Sequence, residues 1–216
     1  MDAKYPRTLH LPFSPGITRD DKILPDAELC FAGRRLVFTE KLDGGNTMIS
    51  REGVFARSHS EPARHPTFDH LKPLWAAIRH ELGDRCLFGE NLYAVHSIEY
   101  TRLPTWFFLF AVRENDTWLS WEDVRTIADR FGLATVPVLN ADPPAITAKV
   151  VRALLAGGST FGGPMEGIVV RNADAFPDSE FQRNVAKYVR AGHVQTDADH
   201  WTRHWRPANL ISDDSP

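Results

Sequence analysis

The chain has 216 residues, 43% of them hydrophobic and 25% charged, which allows a buried core and excludes a disordered or collagen-like chain. Twenty-five Lys and Arg against 28 Asp and Glu leave a net charge of −3, so bulk positive charge cannot be its way of holding nucleic acid, although a local basic patch can. Two cysteines, Cys30 and Cys86, are too few for a four-ligand zinc site or a disulfide framework and read as reduced core residues. No stretch reaches the length of a membrane helix, and the polar start MDAKYPRTLH is not a signal peptide, so a cytoplasmic protein is expected.

In chain order, Pro6, Pro12, Pro15, Gly16 and Pro25 mark the first thirty residues as an arm with little regular structure. RLVFTEKLDGGNTMISREGVFARS reads as a β-meander: Leu36, Val37 and Phe38 form a strand, the segment from Glu40 to Gly45 breaks it, Thr47 to Ile49 resume it, and Arg51 to Gly53 turn. Residues 67–82 place Phe68, Leu71, Leu74, Trp75, Ile78 and Leu82 on one helical face. CLFGENLY and TWFFLFAV read as buried strands. A helix starts after Ser120 as N-cap, with Glu122 and Asp123 in its first turn, and another covers 145–156, closed by Gly157 and Gly158. EGIVVRN and NVAKYVR are two further strands, and 207–216 reads as a flexible tail behind a single domain over 1–206. Strands in runs, separated by a few helices, predict an α+β architecture with antiparallel sheets. Neither G-x-G-x-x-G nor G-x-x-x-x-G-K-[ST] occurs.

The chemistry is concentrated in Thr39–Glu40–Lys41–Leu42–Asp43–Gly44–Gly45–Asn46. A lysine between strands and beside two glycines can sit where backbone closes on a ligand. It becomes a nucleophile only after losing a proton, which requires its pKa to be lowered by burial or by nearby cations. Taken alone, KLDGG is a weak signal and reads first as a hairpin turn with a solvent-facing lysine. Glu90 in FGEN, Glu166 heading EGIVV and Lys187 in VAKYV each border apolar segments where an unpartnered charge is costly. Two acids and two lysines delivered by separate strands suit a phosphate site that uses a divalent cation.

These segments resemble, in order and rough spacing, the motifs of the covalent nucleotidyltransferases, the superfamily of ATP-dependent RNA and DNA ligases and mRNA capping enzymes. EKLDGGN resembles motif I, K-x-D-G; Arg57–Ser60 sits where motif Ia is expected; FGEN at 88–91 resembles motif III, and TWFFLFAV motif IIIa. EGIVVR at 166–171 is similar to motif IV and AKYVR at 186–190 to motif V. Asn46, three residues after Asp43, resembles the T4 RNA ligase 2-like branch, whereas DNA ligases and capping enzymes usually carry Arg there.

The resemblance implies the nucleotidyltransferase (ATP-grasp-like) fold, with antiparallel sheets flanked by helices around an ATP cleft, and an ATP-dependent RNA ligase. Lys41 would take AMP from ATP, AMP would pass to an RNA 5′-phosphate, and a 3′-hydroxyl would displace it. Lys187 would neutralise the α-phosphate and lower the pKa of Lys41; Glu90 would hold the ribose; Phe110 would stack on adenine, with Glu40 beside the base. Asp43 and Glu166 would hold Mg2+ or Mn2+, directly or through water, and Asn46 and Arg57 would orient phosphates and RNA ends. RNA repair alongside end-healing enzymes is the implied setting. The chain departs from the pattern at Val189, where motif V usually has a second lysine, and at Ala111, where many relatives have an acid. It also leaves no room for an OB-fold after motif V. The alternatives are a minimal DNA ligase and a non-catalytic nucleotide- or RNA-binding module.

Outside the motifs, Arg190, Arg203 and Arg206 interleave with Trp201 and Trp205, a pattern that suits RNA or a helix packing its tryptophans on the core. His193, His200 and His204 lack partners at metal-ligand spacing, and His59 and His96 read as structural histidines near the site.

Overall fold

A computed structural model of the chain describes residues 4–57, 61–141, 145–192 and 205–211. The elements in order are β1 (Leu9–His10), α1 (Ala27–Phe31), β2 (Leu36–Lys41), β3 (Gly45–Ser50), β4 (Gly53–Ala56), α2 (Lys72–Ile78), β5 (Arg85–Asn91), β6 (Phe107–Glu114), β7 (Thr117–Trp118), α3 (Trp121–Phe131), β8 (Ala134–Thr135), β9 (Val138–Ala141), α4 (Ala148–Leu155), β10 (Gly167–Asn172), β11 (Phe176–Pro177), α5 (Phe181–Asn184) and β12 (Val185–Val189).

Two sheets result, in the orders β1-β12-β10-β2-β9 and β11-β7-β6-β5-β3-β4, with β8 added beside β6. Pairing is antiparallel, as expected, except for β1 with β12 and β8 with β6. One apolar cluster packs Phe68, Leu71 and Ile78 beneath Leu87, Phe108 and Leu109 of the second sheet. Another packs Leu9, Leu11 and Phe31 against Phe38, Ile168 and Val170 of the first. A third joins Phe88, Ala111 and Trp118 to Phe176, Phe181 and Val185. Cys30 and Cys86 are free and buried, as the sequence suggests.

The expected meander is the main correction. β2 does not break at Glu40 but runs through Lys41, and it pairs with β10 and β9. β3 belongs to the other sheet, between β4 and β5. Leu42 to Gly44 therefore cross from one sheet to the other, and only β3–β4 is a hairpin. Local alternation signals strands but not which sheet each joins.

The single helix expected over 67–82 is a 3-10 turn, Pro66–Leu71, followed by α2, because Pro73 lacks the N–H an uninterrupted helix would need and is tolerated only in a first turn. α4 begins at Ala148 rather than 145, capped by Thr147, whose hydroxyl accepts from Val150 N. The expected tail docks as far as Ile211: Ala208 N donates to Tyr93 O at 2.7 Å and Ile211 N to Leu103 O at 2.9 Å. Among the described residues no helix is long and apolar enough to cross a membrane.

Candidate active site

The crossing at Leu42–Gly44 opens a cleft of about 510 Å³ lined from both sheets. β2 brings Glu40 and Lys41, β3 brings Asn46, β5 brings Glu90, β6 brings Phe110 and Ala111, β10 brings Val169, and β12 brings Lys187. Asp43, Arg57 and Glu166 complete the expected set within the same lining, which also includes His96, read from the sequence as structural. The backbone around the crossing is tight. A Cβ on Gly44 would lie 2.6 Å from Asn91 O and Leu92 Cδ2, and one on Gly167 would lie 2.0 Å from Tyr188 O, so no other residue fits at either position without backbone shifts.

Lys41 Nζ is 2.7 Å from Glu166 Oε1 and 2.8 Å from Oε2, and the Glu166 side chain is 2% exposed. Burial pulls the Lys41 pKa down, but Glu166, Glu90 and Asp43 together outweigh it and hold it above the usual lysine value. The lowering expected from Lys187 is thus not the state of the free site; the acidic side chains around the ammonium, Glu166 foremost, reverse its sign. Burial pushes Glu90 up to about 8, against the attraction of Lys41, while Glu90 Oε1 accepts from Gly44 N at 3.2 Å. Burial and then Lys41 lower the Lys187 pKa, and Asp21 and Glu166 oppose them.

Asp43, expected at a metal, has Oδ2 committed to three donors: Ser97 N at 2.9 Å, Ser97 Oγ at 2.6 Å and Ile98 N at 2.8 Å. Its own N–H donates to Tyr100 Oη at 2.8 Å. It pins the loop after β5 to the lysine turn. Glu40 is equally committed, accepting from Ser159 Oγ and from Thr160 N at 3.0 Å. Neither Ser159 nor Tyr100 carried a signal in the sequence, because each contributes a single group to a distant loop.

Phe110 forms the apolar side of the cleft near Val169, and Tyr5 of the N-terminal arm meets its ring edge-on at 5.0 Å between centroids. Burial among these rings raises the Tyr5 pKa to about 12. Arg171 of β10 braces this wall from behind: its guanidinium donates to Phe110 O at 3.1 Å and Leu119 O at 2.8 Å. Burial brings the Arg171 pKa down to about 10.

Val189, where a second lysine would stand, faces the arm instead. Its N–H donates to Ser14 Oγ at 3.0 Å and its carbonyl accepts from Gly16 N at 3.0 Å. Arg190 does not line the cleft. Arg206 pairs with Glu99 at 2.6 Å and Trp205 lies against His65 and Tyr93, so both brace the docked segment. His59, His193, His200, Trp201, Arg203 and His204 lie outside the described residues.

A family model described as RNA ligase matches residues 34–189. The chain belongs to the RNA ligase family. The match holds every member of the expected constellation, from Glu40 to Lys187. No curated protein matches the chain. Among solved structures, a Naegleria gruberi RNA ligase variant with ATP and Mn is 20% identical, covers 73% of this chain and 50% of its own, and superimposes with a TM-score of 0.59. An archaeal ATP-dependent RNA ligase is 19% identical over 87% of this chain and 48% of its own, with a TM-score of 0.59. A protein from Aquifex aeolicus assigned as an ATP-dependent DNA ligase is 20% identical over 87% of this chain and 50% of its own, with a TM-score of 0.56. The shared fold is the covalent nucleotidyltransferase fold, and the chain spans about half the length of these structures.

Proposed function

We propose that this chain is the nucleotidyltransferase unit of an ATP-dependent RNA ligase that seals 5′-phosphate and 3′-hydroxyl ends. The observation that carries the reading is Lys41, held 2.7 Å from Glu166 in a cleft with an aromatic wall at one side and Lys187 at the other. Phe110 and Val169 suit a purine, and Glu90 suits ribose hydroxyls. Lys187 suits the α-phosphate. As one ammonium proton passes to a Glu166 oxygen 2.7 Å away, Lys41 Nζ forms the N–P bond to that phosphorus and the bond to pyrophosphate breaks, giving lysyl-AMP. AMP then passes to the RNA 5′-phosphate, and the 3′-oxygen displaces it. Asn46 and Arg57 lie at the same cleft and serve the later steps, where alignment of the two ends governs the rate.

Among the described residues, no three His, Cys, Asp or Glu side chains converge as a metal cage. A Mg2+ or Mn2+ ion would therefore share Glu166 with the phosphates and water, the usual manner for magnesium, and Asp43 is better placed as loop anchor than as ligand. Such an ion, when bound at Glu166, would supply positive charge beside the phosphates. In the free site the Glu166 oxygens favour the Lys41 ammonium.

The test is incubation with ATP radiolabelled at the α-phosphate, followed by denaturing electrophoresis. Wild type takes up alkali-stable, acid-labile label. Lys41→Arg, whose guanidinium stays protonated, takes up none while remaining folded; undiminished labelling of that variant overturns the reading. The structural match to the Aquifex protein keeps a DNA ligase as the second reading. Nicked duplexes differing only in ribose or deoxyribose at the 3′-hydroxyl end decide between them, since the 2′-hydroxyl is the chemical mark of RNA. An RNA ligase prefers the ribose end, and sealing weakens with salt in proportion to the phosphates that its cations neutralise. We place it in RNA repair, next to enzymes that generate such ends.

A further inference from the structure

Lys187 is not aimed by its own strand alone. β1 lies parallel to β12 with His10 opposite Lys187, and Leu11 N donates to Lys187 O at 2.8 Å. The arm then turns back, tied by His10 N to Lys22 O and Leu24 N to His10 O, both 2.8 Å. This turn carries Asp21 to the wall of the cleft. Asp21 Oδ2 accepts from Thr18 N at 3.0 Å and Thr18 Oγ1 at 2.8 Å, which fixes the carboxylate. Asp21 Oδ1 is left facing Lys187 Nζ at 3.6 Å and His10 Nε2 at 3.2 Å. Behind His10, Nδ1 lies 2.9 Å from Ser14 Oγ, which also accepts from Val189 N. Thus the arm grips β12 at Lys187 and Val189 with His10 and Ser14 buried and Asp21 half-buried. All of these arm residues precede the segment matched by the family model.

The charged and titratable groups around Lys187 come from four elements: Lys41 at the end of β2, Glu166 ahead of β10, His10 on β1, and Asp21 on the arm's turn. Glu166 is already held by Lys41. Without Asp21, Lys187 has two courses, to compete for Glu166 or to draw back from Lys41. Either one spoils a site in which the two lysines need different partners. We propose that Asp21 is a positioning residue for adenylyl transfer: it holds the Lys187 ammonium at the cleft wall, apart from the Lys41–Glu166 pair, ready for a nucleotide phosphate. This rests on the function proposed above. Burial opposes the charge on Asp21, yet the two Thr18 donors and Lys187 bring its pKa down to about 2, so the carboxylate is ionised at any working pH.

The test follows single-turnover formation of lysyl-AMP against pH in wild type, Asp21→Asn and Asp21→Glu, with melting temperatures recorded alongside. Asn keeps an acceptor for Thr18 and removes only the charge. We expect Asp21→Asn to slow the step by about tenfold with little change in the ATP concentration for half-saturation, since the loss falls on transition-state charge. Its alkaline limb should begin at lower pH, because Lys187 loses the anion that favours its charged form, and Asp21→Glu should restore part of both. A wild-type rate and limb in Asp21→Asn overturn the proposal, as does a slower rate with a lowered melting temperature and an unmoved limb. Should Asp21→Asn not fold, Thr18→Val, which frees the same carboxylate, must show the limb shift in smaller measure, and an unmoved limb there counts equally against it. The underlying function fails separately, through a wild type that takes no label or a Lys41→Arg that does.

Discussion

Lys41 rests as an ammonium among the acids Glu166, Glu90 and Asp43, and burial makes Glu90 resist ionisation. Burial raises the Glu90 pKa from 4.5 to about 8, so the folded chain keeps a proton that the unfolded chain releases above about 4.5. Stability therefore falls as pH rises from about 4.5 to about 8 through this group. Glu90→Gln keeps an acceptor for Gly44 N and removes the titration. It should melt higher than wild type at pH 8, with the gap closing toward pH 4.5, while labelling from ATP drops; thermal melts across that range check it. Asp43 invites the opposite expectation. If its work is to hold Ser97 and Ile98, Asp43→Ala should speed amide exchange at those two residues in the absence of any metal. Hydrogen exchange read at single amides would show this, and unchanged protection there would return Asp43 to the metal.

At the scale of elements, what the sequence made legible depended on how local each signal was. The start of α3 was legible: Ser120 caps it by accepting from Asp123 N, and Glu122 and Asp123 occupy its first turn, while its close at Gly132, φ +64°, comes from the structure. Ser120→Ala should cost about 1 kcal/mol in chemical denaturation and leave labelling unchanged, since the helix lies away from the cleft. The strands FGEN, FFLFAV and EGIVV were legible as apolar runs, and their polar members do meet in one cleft. The sheet crossing at Leu42–Gly44 was not, because a turn inside a hairpin and a turn between sheets use the same glycines. The arm was read only as loop. Its prolines are conspicuous, whereas Asp21, His10 and Tyr5 act through residues more than a hundred positions away, a separation that single-sequence pattern does not register.

For the molecule as a whole, buried histidines contribute to the acid side of stability, His10 and His70 most plainly. Burial, aided by Lys187 against Asp21, lowers His10 to about 4, and burial lowers His70 to about 4 against the Thr67 and Asp69 contributions. Below about 6.5 the unfolded chain binds protons at both sites that the folded chain refuses, so stability is full above that pH and is lost as pH falls from about 6.5 to about 4. His70→Gln should flatten this slope in melting curves, and an unchanged slope would remove His70 from the account. The pairing of β1 with β12 carries a consequence of another kind. On the ribosome, β3 to β6 can assemble early, because each strand's partners are near it in sequence, whereas β1 must wait for a strand that begins at Val185. The Lys41 half of the cleft is thus translated long before Glu166 and Lys187 arrive. A chain ending ahead of β12 would carry Lys41 without Lys187 across the cleft and with β1 unpaired, so the cleft is complete only once β12 has been made.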